Sequence, residues 1–186
     1  MGFGRLFSKA VFWISGWKTE GELPGGVTKC VLVAAPHTSN WDTLYSRCGL
    51  FILNVPARFA LKKEWLRFPF KTFFEGIGAI AIDRSGGKNN VAVMVEILEK
   101  NGDLALMISP EGTRRGDGRW KTGFYQVAMQ AKVPIVLAFL DYRRKIAGIG
   151  PTIYPTGDYV KDMQPVLAFY QTITPRNPEK FTMRIE

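Results

Sequence analysis

From residue 29 onward, short apolar runs alternate with longer amphipathic segments, and this alternation leaves the chain very few ways to fold. The runs at 29–35, 58–61, 79–82, 104–108 and 135–140 are rich in Val, Ile, Leu and Ala and too short for helices, so they predict strands. Residues 41–53, 64–74, 89–100 and 123–132 lie between them and predict helices. Strand, helix and strand in regular succession define an α/β domain with a largely parallel or mixed central sheet flanked by helices. Past residue 150, Pro155-Thr156-Gly157 and 173–178 mark turns, Pro165 is expected to kink or break a helix over 158–172, and 181–185 predict an edge strand. With 186 residues, 46% of them hydrophobic, the chain has material for one core, so residues 21–186 are read as a single domain.

Residues 1–20 predict a short amphipathic helix preceding that domain. Projected at about 100° per residue, Trp13, Leu6, Trp17, Ala10, Phe3, Ile14, Phe7 and Val11 share one arc. Ser15, Ser8, Arg5, Gly16 and Lys9 take the other side, with Phe12 the single intruder. Such a helix either caps the core or lies in a membrane interface with its rings among the headgroups.

Lys and Arg number 25 against 16 Asp and Glu, and the net charge of +9 favours anionic partners such as a lipid surface, a phosphorylated small molecule or nucleic acid. The two cysteines, Cys30 and Cys48, stand in strand-like and helix-like segments without a CxxC pattern, as expected of a cytoplasmic, reduced protein. No apolar run approaches the roughly 20 residues of a spanning helix, and the basic residues among the first 18 argue against a cleavable signal.

In open parallel sheets, ligand-handling groups gather past the carboxyl ends of strands. Three polar clusters fall there: 37–42, Asp83-Arg84 and 110–115. His37 is the one histidine of the chain, so any imidazole chemistry rests on it. A neutral imidazole can take the proton of a hydroxyl as that oxygen attacks an electrophile, and a carboxylate fixes its tautomer and stabilises the imidazolium. Asp42, across a strand-to-helix turn, can fold back to do this. The alternative is a helix start in which Ser39 caps and Asp42 completes a capping box beside an ordinary loop histidine. No GxSxG occurs, so a catalytic His37 would act on the substrate's own hydroxyl. A lone histidine and no cysteine cluster give no metal-ligand pattern. In 109–115 (SPEGTRR), Glu111 can accept from hydroxyls, Gly112 permits close backbone approach and Arg114 can bind a phosphate; as a bland alternative, this is a charged surface turn.

Taken in order, HTSNWD at 37–42, GIGAIAIDR at 76–84, SPEGTRR at 109–115 and VPIVLAF at 133–139 resemble the four blocks of the glycerolipid acyltransferases, the 1-acylglycerol-3-phosphate acyltransferase type. The resemblance implies a general base, His37, assisted by Asp42. It implies acceptor and phosphate binding by Arg84, Glu111, Gly112, Thr113 and Arg114, and packing near the acyl-binding region for Pro134. The reaction it implies moves a fatty acyl group from an acyl thioester, acyl-CoA or acyl-carrier protein, to a hydroxyl of a lysophospholipid or glycerol-phosphate-type acceptor, with no resident cofactor or metal. The implied setting is phospholipid biosynthesis by a peripheral enzyme on the cytoplasmic face of an anionic membrane. Pro36, Ser109 and Arg115 replace the Asn, Phe and Ser common in these blocks, which leaves a glycolipid or amino-acid lysolipid open as acceptor.

Two other classes compete. Aromatic residues interleave with basic ones in 62–68 and 119–121, as in nucleic-acid-binding surfaces, but no RNP, KH, helix-turn-helix or zinc-finger pattern accompanies them, and no nucleic-acid partner is expected. A lipid-transfer or scaffold protein that kept the fold without the activity is the other.

Overall fold

The computed structural model describes residues 2–66, 69–82, 90–111 and 120–183. Its strands are β1 (Lys18–Glu20), β2 (Lys29–Ala34), β3 (Ala57–Lys62), β4 (Ala79–Ile82), β5 (Leu104–Ile108), β6 (Ile135–Asp141) and β7 (Ile146–Ile153). They form one sheet in the order β1-β7-β6-β2-β5-β3-β4, parallel throughout except where β6 and β7 pair as a hairpin. The helices are α1 (Phe3–Ser15), α2 (Trp41–Ile52), α3 (Lys71–Gly76), α4 (Asn90–Lys100), α5 (Gly123–Ala131) and α6 (Tyr159–Gln171).

The central strands are apolar on both faces because both faces are covered. In β2, Val31 and Val33 point to a core shared with Leu98 of α4, Phe124 and Val127 of α5, and Met163 and Tyr170 of α6. Cys30 and Leu32 point to the opposite core, with Leu50 of α2, Ala105 and Val136. The period of two along the strand thus divides its side chains between two helical layers.

Departures from expectation have local causes. The helix expected over 64–74 is a 3₁₀ turn at Lys63–Trp65 and a separate α3, because Pro69 disfavours a helical residue before it and carries no N–H of its own. Residues 181–183 are not a strand, and 184–185 lie outside the described residues. β7 escapes a reading for apolar runs because it contains Gly148, Gly150 and Pro151. A Cβ at Gly148 would stand 2.6 Å from the Phe139 ring and one at Gly150 2.4 Å from the Phe169 ring, so the glycines make room for aromatic packing. Pro151 falls where β7 has run beyond its short partner β1. Pro165 is accommodated inside α6, which continues through it, held by buried Met163, Val166 and Tyr170 and capped by Asp158, whose side chain accepts from Lys161 N.

The packing of α1 decides which of its faces meets the domain. It lies on α2 through Ser8, Phe12 and Gly4, the last against the Phe51 ring. Ser8 is buried without penalty because its hydroxyl donates to Gly4 O at 2.7 Å. Trp17, stacked on Tyr45, closes the far end. Most of the apolar arc therefore faces outward, with Leu6, Phe7, Trp13 and Ile14 63%, 51%, 85% and 77% exposed, while Trp17 and Val11 of the same arc pack inward.

Candidate active site

Because β2, β5, β3 and β4 are parallel, the loops that follow them open at one edge of the sheet. The end of β2 is held by Tyr170, whose buried hydroxyl reaches Val33 O at 3.0 Å and Ala138 O at 3.1 Å. The chain then turns through His37 into α2, which places Asp42 in the first turn of that helix.

The Asp42 carboxylate organises this turn. Oδ2 accepts from Thr38 N at 2.7 Å and Ser39 N at 2.8 Å, while Ser39 Oγ accepts from Trp41 N at 3.3 Å. Half of a capping box is thus present, and the same Oδ2 lies 3.4 Å from His37 Nδ1. The helix-cap and acid–base readings do not exclude each other, since one carboxylate fills both places. Oδ1 accepts from Tyr142 OH at 2.6 Å. Asp42 is 2% exposed and His37 27%, an arrangement with a buried acid behind an accessible imidazole. Burial alone would raise the pKa of Asp42, but the contact with His37 and the donors Tyr142, Ser39 and Thr38 outweigh it and hold the group below the usual carboxylate range. The carboxylate is therefore charged at neutral pH.

Glu111, past the end of β5, accepts from His37 N through both oxygens, at 3.0 and 3.1 Å. Two of the three clusters expected at this edge thus meet. Burial pushes the Glu111 carboxyl up to about 7; the His37 amide and ring oppose the rise and the Asp42 charge adds to it. A carboxyl raised in the folded state stabilises the fold fully below its unfolded pKa, and that stability is lost as pH rises through the folded value. Between 4.5 and about 7 the wild type should therefore lose at most about 3 kcal/mol relative to Glu111→Gln, read as denaturant midpoints against pH. Parallel curves for the two proteins would contradict this assignment.

Several contributors carried no local signal. Tyr142 stands on the β6–β7 turn, 100 residues from Asp42. Asn177 grips the motif from the other terminus: its N donates to Thr38 Oγ1 at 3.2 Å and its Nδ2 to Thr38 O at 2.9 Å. Arg176 lies over the Trp41 and Tyr142 rings, at 5.6 and 5.8 Å. Of the residues expected to bind acceptor or phosphate, Arg84, Gly112, Thr113 and Arg114 lie outside the described residues. Pro134 is placed at the amino end of β6, the edge opposite His37, where its carbonyl accepts from Val31 N at 3.0 Å; it begins the β2–β6 ladder rather than bordering the site. A cavity of about 270 Å³ opens beside His37 and Asp42 and extends between α2 and the sheet past Ser46, Arg47, Phe59 and Met107.

The fold is thus a mostly parallel α/β sheet with an accessible imidazole and a buried carboxylate past the end of a central strand, both beside a cavity. The chain belongs to the acyltransferase family, whose model matches residues 22–138. It is similar to the 1-acyl-sn-glycerol-3-phosphate acyltransferases of Limnanthes alba and Limnanthes douglasii, each 30% identical over 142 residues, 72% of this chain and 49% of the relative. The chain thus spans about half the length of these relatives. Its fold is similar to the crystal structure of the 1-acyl-sn-glycerophosphate (LPA) acyltransferase PlsC from Thermotoga maritima, with a TM-score of 0.60 and 16% identity, covering 89% of this chain and 74% of that one.

Proposed function

We propose that this chain transfers a fatty acyl group from an acyl thioester, acyl-CoA or acyl-carrier protein, to a hydroxyl of a lysophospholipid or glycerol-phosphate-type acceptor at a membrane surface. The observation that carries the proposal is the His37–Asp42 pair, a carboxylate held charged by protein donors behind an accessible imidazole. His37 takes the proton of the acceptor hydroxyl as its oxygen attacks the thioester carbonyl carbon. The tetrahedral oxyanion collapses with cleavage of the carbon–sulfur bond, and the departing thiolate takes the proton back from the imidazolium. Asp42 stabilises that imidazolium, and Glu111 fixes the main chain on which the ring is mounted. Arg84 and Arg114 serve as phosphate contacts, and Glu111, Gly112 and Thr113 bind the acceptor. A glycolipid or amino-acid lysolipid acceptor would use the same His37 chemistry.

The membrane setting rests on α1. Among the described residues no helix is long and apolar enough to cross a bilayer. An outward face of Leu6, Phe7, Trp13 and Ile14 on a chain of net charge +9 suits the boundary of an anionic leaflet. Replacing both Trp13 and Ile14 by Ala removes roughly 3 kcal/mol of transferable apolar surface. Binding to anionic vesicles should weaken about 10²-fold while the melting temperature stays within a few degrees; unchanged vesicle binding would remove α1 from this role.

The reaction is tested by incubating the protein with labelled acyl-CoA or acyl-carrier protein and vesicles carrying a panel of lysolipids. Label is expected in a diacyl product. Release of free fatty acid alone, or no transfer to any acceptor, would overturn the proposal.

A further inference from the structure

Asp42 has three hydrogen-bond donors besides His37, and they differ in kind. Thr38 N and Ser39 N reach Oδ2 from four and three residues back, the partners that a polar side chain at a helix start finds for itself. Tyr142 OH reaches the other oxygen, Oδ1, at 2.6 Å, and comes from the β6–β7 turn. A helix cap needs only the first two. The third acts on the oxygen that capping leaves alone.

The phenol is held in place from several sides. Tyr142 N donates to Thr174 O at 2.8 Å. Its ring meets that of Trp17 at 89° with centroids 5.0 Å apart, and that of Tyr45 at 6.2 Å, while Arg176 lies over it at 5.8 Å. The turn that begins at Tyr142 is itself pinned, since Asp141 accepts from Arg144 N at 3.0 Å and from Arg144 Nε at 2.7 Å. Burial and the neighbouring Asp42 charge push the phenol's pKa up, against the opposing charge of Arg176, so the hydroxyl keeps its proton at neutral pH and remains a donor. Remote parts of the chain thus converge to fix one O–H on one carboxylate oxygen.

The consequence for the imidazole is geometric. An aspartate side chain restrains rotation about its Cβ–Cγ bond only loosely. Donors on one oxygen alone resist that rotation less than donors on both. With Oδ1 tied to Tyr142, Oδ2 is kept beside His37 Nδ1, 3.4 Å away. A proton on Nδ1 directed at Asp42 makes Nε2 the basic nitrogen of the ring.

We infer that Tyr142 is a positioning residue of the His37–Asp42 pair: its hydroxyl holds the carboxylate against rotation, so that the imidazole keeps Nδ1–H toward Asp42 and presents Nε2 as the base. It acts through Asp42. The inference rests on the acyl-transfer reading for its kinetic consequence, but not for its effect on the ring.

Two variants of the full chain test it. Tyr142→Phe removes the hydroxyl and keeps the ring that packs on Trp17. Tyr45→Phe removes a hydroxyl from the same aromatic cluster, one not bonded to Asp42, and is the control. His37 is the one histidine of the chain, so in protein grown on isotope-labelled histidine every imidazole resonance is its own. In the neutral ring, wild type and Tyr45→Phe should show Nδ1 protonated, and the nitrogen resonances of Tyr142→Phe should shift toward the opposite tautomer. In acyl transfer, kcat of Tyr142→Phe should fall about tenfold, the worth of one hydrogen bond to a charged group, with KM for both substrates within about twofold; Tyr45→Phe should match wild type. Melting temperatures should stay within a few degrees. An unchanged tautomer or, with wild type active, an unchanged kcat in Tyr142→Phe would overturn the inference. So would an equal kcat loss in Tyr45→Phe, a loss carried by KM, or a large fall in the melting temperature of Tyr142→Phe, which would assign the hydroxyl to substrate binding or to structure. The resonance measurement needs no substrate. A tautomer that depends on Tyr142 in a protein without acyl transfer keeps Tyr142 as the holder of the pair and removes the enzyme reading, whereas transfer with a tautomer indifferent to Tyr142 does the reverse.

Discussion

An Asp42→Ala protein is expected to lose about 3–5 kcal/mol of folding stability together with its acyl-transfer rate. The size follows from what the carboxylate holds. Thr38 N, Ser39 N and Tyr142 OH all donate to it, at 2.6 to 2.8 Å, and alanine leaves those three donors without an acceptor at a site that is 2% exposed. Each buried, abandoned donor costs about 1–3 kcal/mol. Asp42→Asn separates structure from chemistry. Its amide oxygen can still accept from Thr38 and Ser39, and its NH₂ can donate to the Tyr142 oxygen, so stability should fall by only about 1 kcal/mol. The charge behind His37 disappears, and kcat should fall roughly 10²-fold or more. Chemical denaturation and initial rates on the two variants check both parts; equal stability losses would show that the charge, and not the acceptor geometry, holds the turn. The pH dependence has a definite sign. Asp42 is more acidic folded than unfolded, so its stabilisation is present above the ordinary aspartate range and is lost as pH falls below it.

How much of this was written in the chain depends on distance along it. The five strands read from apolar runs are all strands, and four of the expected helices correspond to helices within a residue or two at their ends, because strand length, period and helix-capping chemistry are local, although α6 runs on through Pro165, where a kink or break was expected. His37 and Asp42 were legible for the same reason: five peptide links and a strand-to-helix turn bring them together. Their meeting with Glu111 followed from a parallel sheet, which puts loops after adjacent strands at one edge.

What could not be read depends on contacts between remote segments. Nothing near Tyr142 or Asn177 marks them as partners of 37–42, since their hydrogen bonds exist only once the β6–β7 hairpin and the segment after α6 have docked. The orientation of α1 was hidden differently. Periodicity shows that a helix has two faces but not which one packs, and here a serine bonded to its own helix, together with one phenylalanine, packs inward. Arg47 escaped because an arginine on an amphipathic helix is ordinarily exposed, and only the fold reveals that this one is enclosed. β7 was hidden by glycines whose missing side chains are filled by Phe139 and Phe169.

The other large effect concerns His37. Its Nδ1 side faces Asp42 and its main-chain N–H is bound by Glu111, so the ring is held from behind while the side chain stays 27% exposed. In His37→Ala the hydrogen bonds from Thr38, Ser39 and Tyr142 to Asp42 all remain, and so does the main-chain bond to Glu111, which involves no side-chain atom of residue 37. The fold should therefore survive with little change in melting temperature, and the loss should fall on kcat, by about 10²- to 10⁴-fold, as expected when a general base is removed. A large loss of stability in His37→Ala would instead assign the residue to structure.

The most direct test is a rapid-quench experiment with labelled acyl thioester, in which protein and lipid are separated after denaturation. With acceptor present, wild type should place label in the lipid product and none on the polypeptide, and without acceptor it should leave the thioester intact; His37→Ala should form product at least about 10²-fold more slowly. Label bound covalently to the protein, or equal rates for wild type and His37→Ala, would contradict an account in which His37 activates the hydroxyl of the acceptor itself.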